Sequence, residues 1–297
     1  MGVNSSRMRP RVRRPRMRVH RLPHFSVNRL VPNILTLLAL CAGMTAMRFA
    51  MNGYFQAAVY AIIVAGIFDG LDGRIARLLK STSRFGAELD SLSDFVSFGV
   101  APASVLYLWT MSQLHSIGWA IVLFFAVCCA LRLARFNTQL AEPPPYAAGF
   151  FSGAPAPAGA GLVMMPMFAS FEWGDWIARS PYLSAVWISG VALLMISTVP
   201  TVSLKRIVRV PHHLVIPTLL GVGVATAFLT TAPWPTLTCV GLVYLGSIPL
   251  TVRAYYRLRH AAEARRAEPA ETAARTASAA IPYSIGDSSP PANEWRH

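Results

Sequence analysis

The sequence predicts an all-α, polytopic integral membrane protein with about eight transmembrane helices and both termini in the cytosol. Hydrophobic residues make up 54% of the 297-residue chain and charged residues 13%, with a mean hydropathy of +0.44. Soluble domains carry about 25% charged residues. Apolar runs of helix length and a one-sided distribution of Lys and Arg are the other two observations that support this fold class.

Eight apolar runs follow one another along the chain, each near the roughly 20 residues that a helix needs to span a bilayer. They cover residues 31–50, 54–79, 86–110, 116–136, 155–171, 182–200, 212–231 and 234–252. The run at 155–171 is short and rich in Gly and Pro. A count between six and eight helices therefore stays open.

Positive charge alternates between the loops in a consistent way. If the N-terminus is cytosolic, all of the 27 Lys and Arg residues except Arg48 and Arg179 lie on the cytosolic side. This distribution follows the positive-inside rule and predicts a multi-pass protein of the cytoplasmic membrane. It also accounts for the net charge of +14 without a nucleic-acid partner.

The two ends of the chain differ from its middle. Residues 1–29 hold nine Arg, three Pro and no acidic residue, and we expect a disordered polybasic cytosolic arm near anionic lipid headgroups. A mitochondrial transit peptide is the alternative, but the prolines oppose an amphipathic helix. We expect residues 30–256 to form the membrane domain. Residues 257–297 then form a cytosolic tail that starts as a short helix and is mostly disordered.

Carboxylates gather in one stretch, FDGLDGRIARLLKSTSRFGAELDSLSD (residues 68–94). An Asp near the bilayer centre costs about 2.5–3.5 kcal/mol, so these side chains must line a polar cavity or the interface. Helical spacing places Asp69 and Asp72 on one stripe of the second helix, and Asp90 and Asp94 on one stripe of the third. A short basic turn joins the helices, so we expect the two acidic stripes to face each other. Glu88 falls off the stripe and is expected to be an ordinary interfacial charge.

Four converging carboxylates repel one another unless cations lie between them. Oxygen ligands without His or Cys favour Mg²⁺, Mn²⁺ or Ca²⁺ over zinc. Two Asp pairs could hold two ions at the ~3.5–4 Å separation of two-metal phosphoryl-transfer sites. Arg77, Lys80 and Arg84 lie nearby to bind an anionic substrate. In the alternative, the four Asp are interfacial residues paired with these cations.

The pattern Asp69-x-x-Asp72-Gly73-x-x-Ala76-Arg77, eight residues, then Gly86-x-x-x-Asp90-x-x-x-Asp94 resembles the full signature of the CDP-alcohol phosphotransferases. The resemblance implies transfer of a substituted phosphate from a CDP-linked donor to an alcohol, with release of CMP. It implies that the four Asp bind two divalent cations, Mg²⁺ or Mn²⁺, and that Asp94 is also the catalytic base. It places the CDP-diacylglycerol donor among Asn33, Gly73, Ala76, Arg77, Ser83 and Gly86.

Three further segments are similar to the bacterial and archaeal phosphatidylserine synthases of this family. They are SDFVSFGVAPA (93–103), RLARFNT (132–138) and FFSGAPAPAGA (150–160), the last with Ala154 where Leu is usual. The resemblance implies that L-serine is the acceptor and that phosphatidylserine and CMP are the products. Family members are often homodimers, and no residue pattern here requires that state.

Arg132 and Arg135 share a helix face on the side of the acidic stripes. Guanidinium groups bind carboxylates and phosphates in bidentate fashion, so both residues are candidates to hold serine or a phosphate. Alternatively, they are only positive-inside residues at a helix end.

Two other functions remain open from the sequence. The same chemistry could use glycerol 3-phosphate, inositol phosphate or choline as the acceptor. A cation or proton transporter is a more distant alternative, because acids inside a helical bundle often mark an ion path. An ion path would not require Arg77 and Gly86 at this spacing, which argues against a transporter.

Overall fold

The computed structural model describes residues 27–81, 83–138, 150–202 and 215–279, and this part of the chain is almost entirely helical. Its helices are α1 (Val27–Met51), α2 (Phe55–Leu78), α3 (Arg84–Asp94), α4 (Ala101–Trp109), α5 (His115–Thr138), α6 (Ala156–Val163), α7 (Met165–Trp173), α8 (Asp175–Ala178), α9 (Pro181–Ile196), α10 (Val215–Thr231) and α11 (Pro233–Ala279). A π-helical segment (Phe95–Val100) joins α3 to α4, and a 3₁₀ turn (Met111–Leu114) precedes α5. Two three-residue strands, β1 (Phe150–Ser152) and β2 (Pro200–Val202), pair antiparallel.

Five helical stretches are long and apolar enough to cross a membrane. They are Leu30–Met51, Phe55–Leu78, Arg84–Trp109, Met111–Thr138 and Pro233–Ala261. The apolar helices α9 and α10 are shorter, and the expected run at 155–171 is divided between α6 and α7, which meet at Met164 just before Pro166. The all-α, polytopic fold class is therefore confirmed, with some of the eight apolar runs forming short helices. The cytosolic position of both termini stays a prediction.

The expected ends of the membrane domain lie partly outside the described residues. Of the N-terminal arm, only residues 27–29 are described, as the first residues of α1. The helix that begins the tail continues to Ala279 as part of α11. The proposed division at residues 30 and 256 stays a prediction.

Helices α1 and α2 form a tight antiparallel hairpin. Gly53, with φ +78°, makes the turn, and the Tyr54 N–H donates to the Phe49 carbonyl at 2.9 Å. The helices approach closely because alanines line their contact: Ala46, Ala58 and Ala65 are fully buried. Helix α1 also packs against α3 and α4. It therefore contacts both helices that carry the acids, α2 and α3.

A hydrogen bond ends α2 and another begins α3, on either side of the turn between them. Lys80 adopts φ +48°, and the Ser81 N–H donates to the Ala76 carbonyl at 3.0 Å, which ends α2. Ser83 then caps α3, since its hydroxyl oxygen accepts from the Gly86 N–H at 3.0 Å. The basic turn therefore reverses the chain within a few residues, as expected.

The π-helical segment begins directly after Asp94. Pro102 has no N–H to offer the carbonyl four residues earlier. Just before it, the Ala101 N–H bonds to the Val96 carbonyl, five residues back. The segment is buried: Ser97 and Gly99 lie inside the bundle, and Phe98 is part of its apolar core. Such wider turns are often found at functional sites.

A polar cluster closes the opposite end of the bundle. The Arg179 guanidinium pairs with Asp175 at 2.9 Å and donates from Nε to the Trp109 carbonyl at 3.3 Å. The Ser170 hydroxyl also donates to Asp175. These hydrogen bonds, from Ser170 first and then from Arg179, lower the pKa of the Asp175 carboxyl. The cluster ties the turn after α7 to the end of α4.

Candidate metal and substrate site

Carboxylates from two helices converge in the structure. One carboxylate oxygen each from Asp69 and Asp72 on α2 and Asp90 on α3 lies within 4.8 Å of the others. The carboxyl group of Asp94, one turn along α3, lies close to that of Asp69. The structure therefore brings three of the four predicted acids within reach of one cation and places the fourth, Asp94, beside Asp69.

Helix periodicity accounts for this convergence. Asp69 and Asp72 are three residues apart on α2, and Asp90 and Asp94 are four apart on α3, so each pair occupies one face of its helix. Asp72 is the deepest of the four, with only 4% of its surface exposed. Glu88, two residues before Asp90, is exposed and does not belong to this group of acids.

Among the described residues, no Lys or Arg nitrogen lies within ion-pair distance of the cluster. The ion pair found in this part of the chain, Arg179–Asp175, lies outside the cluster, so the alternative in which these acids pair with nearby Arg and Lys is not observed. Buried carboxylates without a counter-charge are costly. A set of oxygen donors without nitrogen or sulfur suits a hard divalent cation, so the residues present fit such an ion.

Beside the cluster, α1 comes very close to the start of α3. A Cβ atom added to Gly86 would lie 3.0 Å from Asn33 Oδ1 and 3.1 Å from Ser83 Oγ. Gly86 therefore permits the approach that gathers Asn33 and Ser83 at one edge of the acidic cluster.

Gly73, Ala76 and Arg77 continue the face of α2 beyond Asp72. A Cβ added to Gly73 would meet nothing within 4 Å, so the space next to this residue is open. The Arg77 Nε donates to the Gly73 carbonyl at 2.9 Å, which holds the guanidinium along its own helix. This part of the candidate donor site is an open surface rather than an enclosed pocket.

The two arginines of α5 have different surroundings. Arg132 is half-buried, its Nε has no hydrogen-bond partner, and its charge interacts with that of Asp94. Arg135 instead donates from Nη1 to the Ile196 carbonyl at the end of α9, at 3.0 Å. The same segment reaches α3, because the Asn137 amide donates to Ser91 Oγ at 2.8 Å.

Sequence reasoning missed two residues of the site. The Thr36 hydroxyl lies 2.6 Å from Asp72 Oδ2, and the Ser93 hydroxyl donates to the Thr36 carbonyl at 3.0 Å. Thr36 is in α1, only three residues after Asn33, but no spacing rule relates residue 36 to residue 72.

Comparison with known proteins agrees with this geometry. A family model described as CDP-alcohol phosphatidyltransferase matches residues 29–202, and one described as CDP-alcohol phosphatidyltransferase 2 matches residues 213–249. The first match includes every residue of the acidic cluster and both arginines of α5.

Several relatives carry the name CDP-diacylglycerol–serine O-phosphatidyltransferase. The Mycobacterium leprae protein is 39% identical over 75% of this chain and 74% of its own length. The Mycobacterium bovis protein is 38% identical over 75% and 78%, and the Helicobacter pylori protein is 34% identical over 60% and 74%. With more than half of its length matched by the family model and with these relatives, the chain belongs to the CDP-alcohol phosphatidyltransferase family.

Proposed function

We propose that this protein transfers the phosphatidyl group of CDP-diacylglycerol to the hydroxyl of L-serine and forms phosphatidylserine and CMP. The observation that carries the proposal is the convergence of Asp69, Asp72, Asp90 and Asp94 from two helices, within the complete family signature. The names of the relatives support serine as the acceptor.

The four Asp would hold two divalent cations, Mg²⁺ or Mn²⁺. Such ions supply charge neutralisation for a diphosphate and orient it for in-line attack. The assignment is supported by the absence, in the described residues, of an ion pair between these acids and a Lys or Arg.

Asp94 is our candidate for the catalytic base. A serine hydroxyl is a weak nucleophile and needs a base within hydrogen-bond reach. The Asp94 carboxylate would accept the hydroxyl proton as the serine oxygen forms a bond to the phosphatidyl phosphorus. The bond from that phosphorus to the oxygen of CMP breaks in the same displacement. Asp94 is suited to this role because, of the four acids, it is the one whose charge interacts with that of Arg132, the candidate acceptor residue.

The donor would lie along α2 and the start of α3. Its candidate contacts are Asn33, Gly73, Ala76, Arg77, Ser83 and Gly86. The open space beside Gly73 and the close grouping of Asn33, Ser83 and Gly86 leave a surface for the nucleotide next to the acids. The acyl chains would remain in the lipid.

Arg132 and Arg135 would hold the serine carboxylate or a phosphate. Arg132 is the more direct candidate, since its half-buried guanidinium has an unpartnered Nε and faces the charge of Asp94. Arg135 uses one Nη1 hydrogen bond on the Ile196 carbonyl, so it has fewer donors for a ligand. Bidentate binding of a carboxylate needs two donors in one plane.

We further propose that the protein acts in the cytoplasmic membrane as a homodimer, with the acidic cluster toward the cytosol. The position of Arg74, Arg77, Lys80 and Arg84 around the α2–α3 turn supports this orientation under the positive-inside rule.

An acceptor panel tests the proposed function. The purified full-length protein receives CDP-diacylglycerol with Mg²⁺ or Mn²⁺ and one radiolabelled acceptor: serine, glycerol 3-phosphate, inositol phosphate or choline. We expect labelled lipid with serine alone, CMP in equal amount, and loss of both after chelation. Labelled lipid from another acceptor would show that this alcohol, and not serine, is the substrate. Turnover that continues after chelation would refute the metal site. A transporter would release no CMP in any reaction.

A further inference from the structure

A threonine of α1 touches the deepest acid of the cluster. Thr36 Oγ1 lies 2.6 Å from Asp72 Oδ2 and 3.1 Å from the Pro32 carbonyl in its own helix. Both Thr36 and Asp72 have 4% of their surface exposed, so water does not compete for this contact. A hydroxyl bonded to a charged carboxylate is among the shorter and stronger hydrogen bonds in proteins.

The main chain of the same residue is connected to the other acidic helix. The Ser93 hydroxyl donates to the Thr36 carbonyl at 3.0 Å, and Ser93 is 2% exposed. Ser93 directly precedes Asp94. One turn further on, the Ser97 hydroxyl donates to the Ala39 carbonyl of α1 at 3.1 Å. Helix α1 therefore contacts α2 through the Thr36 side chain, α3 through the Thr36 carbonyl, and the π-helical segment through the Ala39 carbonyl.

This arrangement restricts the freedom of the cluster. A carboxylate turns about its last bond unless one oxygen is held. The Thr36 hydroxyl holds Asp72 Oδ2, and the Ser93 bond holds Thr36 in place against α3. A group bonded to a metal ligand in this way commonly changes metal affinity by about 10–100-fold when it is removed.

We propose that Thr36 is a positioning residue for the divalent-cation site, acting through Asp72. The proposal rests on the proposed function in one respect, because it takes Asp72 as a metal ligand. The proposal gives α1 a role in the metal site, although α1 carries none of the expected metal ligands.

Mn²⁺ binding tests the proposal without any turnover. The full-length protein and its variants are titrated with Mn²⁺, and the free ion is measured by electron paramagnetic resonance. Thr36→Val keeps the shape of the side chain and removes the hydroxyl, so we expect Mn²⁺ affinity to fall about 10–100-fold. Thr36→Ser keeps the hydroxyl and should restore binding close to that of the parent.

The matched control lies on the same helix. The Thr45 hydroxyl donates to the Cys41 carbonyl, four residues earlier, at 2.7 Å, and Thr45 is exposed and lies far along α1 from the acids. Thr45→Val should leave Mn²⁺ affinity unchanged. In an Asp72→Asn background, Thr36→Val should cause little additional loss, because the two changes act on one contact.

The outcomes separate the two proposals. A parent protein that binds no Mn²⁺ refutes the metal site itself. A parent that binds Mn²⁺, with a folded Thr36→Val variant of equal affinity or with additive losses in the double variant, refutes the role of Thr36. Thr36→Ala replaces the valine variant if that one does not fold. If neither folds while Thr36→Ser does, the hydroxyl serves folding and the proposed role is overturned.

Discussion

Asp94 lies one helical turn from Asp90 on α3, and its carboxyl group contacts Asp69 across the gap between the two helices. Its neighbours differ from those of the other three acids, because Arg132 of α5 interacts with its charge. An acceptor bound by that arginine would have its hydroxyl near Asp94. The position of this one side chain therefore connects the acidic cluster to the candidate acceptor site.

Asp94→Asn should abolish CMP release, since an amide cannot accept the serine proton and is a weaker ligand for a cation. The substitution preserves shape, so the variant should still fold and bind CDP-diacylglycerol. CMP release is measured by chromatography, and donor binding by the rise in melting temperature on addition of CDP-diacylglycerol.

The matched control for this substitution is Glu88→Gln on the same helix. Glu88 is exposed and lies off the acidic face, so its variant should turn over at the parent rate. Near-normal CMP release by Asp94→Asn would show that Asp94 is not the catalytic base.

At the scale of elements, the contact between α1 and the π-helical segment places the acid-bearing helices. A Cβ atom on Gly43 would lie 2.7 Å from Ser97 Oγ and 2.8 Å from Ser97 Cα, so the main chains meet at this point. Ser97 also bonds to the Ala39 carbonyl one turn away. The approach depends on glycine because any side chain would push α1 from the segment that follows Asp94.

Gly43→Ala should destabilise the protein by about 1–3 kcal/mol, the usual cost of overpacking. Gly190→Ala on α9 is the control, since a Cβ there meets nothing within 4 Å and alanine favours the helix by about 1 kcal/mol. Melting temperatures in the same detergent measure both effects. Equal melting temperatures for Gly43→Ala and the parent would show that α1 can move away from the π-helical segment without loss of stability.

At the scale of the whole molecule, the distribution of positive charge predicts the orientation of the protein in the membrane. Arg48 and Arg179 are the two basic residues expected on the outer side. In the structure, the Arg179 guanidinium pairs with Asp175 and donates to the Trp109 carbonyl. Among the described residues, Arg74, Arg77, Lys80 and Arg84 flank the α2–α3 turn, and Arg132 and Arg135 lie in the last turns of α5.

Reporter fusions test this orientation. Alkaline phosphatase, which folds only outside the cytosol, should be active when fused after Trp176 and inactive when fused after Ala279. A green fluorescent protein at the C-terminus should be fluorescent. The reverse pattern would place the acidic cluster on the outer side and exclude a cytosolic route for CMP.

Residue spacing was enough to predict most of the helices and the acidic cluster. Apolar runs at 31–50, 54–79 and 116–136 correspond closely to α1, α2 and α5. The run at 155–171 was less well predicted, because hydropathy does not show that the chain bends at Met164 before Pro166. The Asp pairs were predictable because separations of three and four residues place side chains on one helical face whatever the surroundings.

Contacts between distant residues were decided only by the tertiary structure. Thr36 and Asp72, or Arg135 and Ile196, are far apart in the chain, and no periodicity within one helix relates them. Their contacts depend on how α1 sits between α2 and α3, and on where α9 ends against α5. Local spacing determined which acids share a face. The packing of the helices decided how far apart the two faces stand and which neutral side chains hold the acids in place, since those distances depend on the small residues at every helix contact.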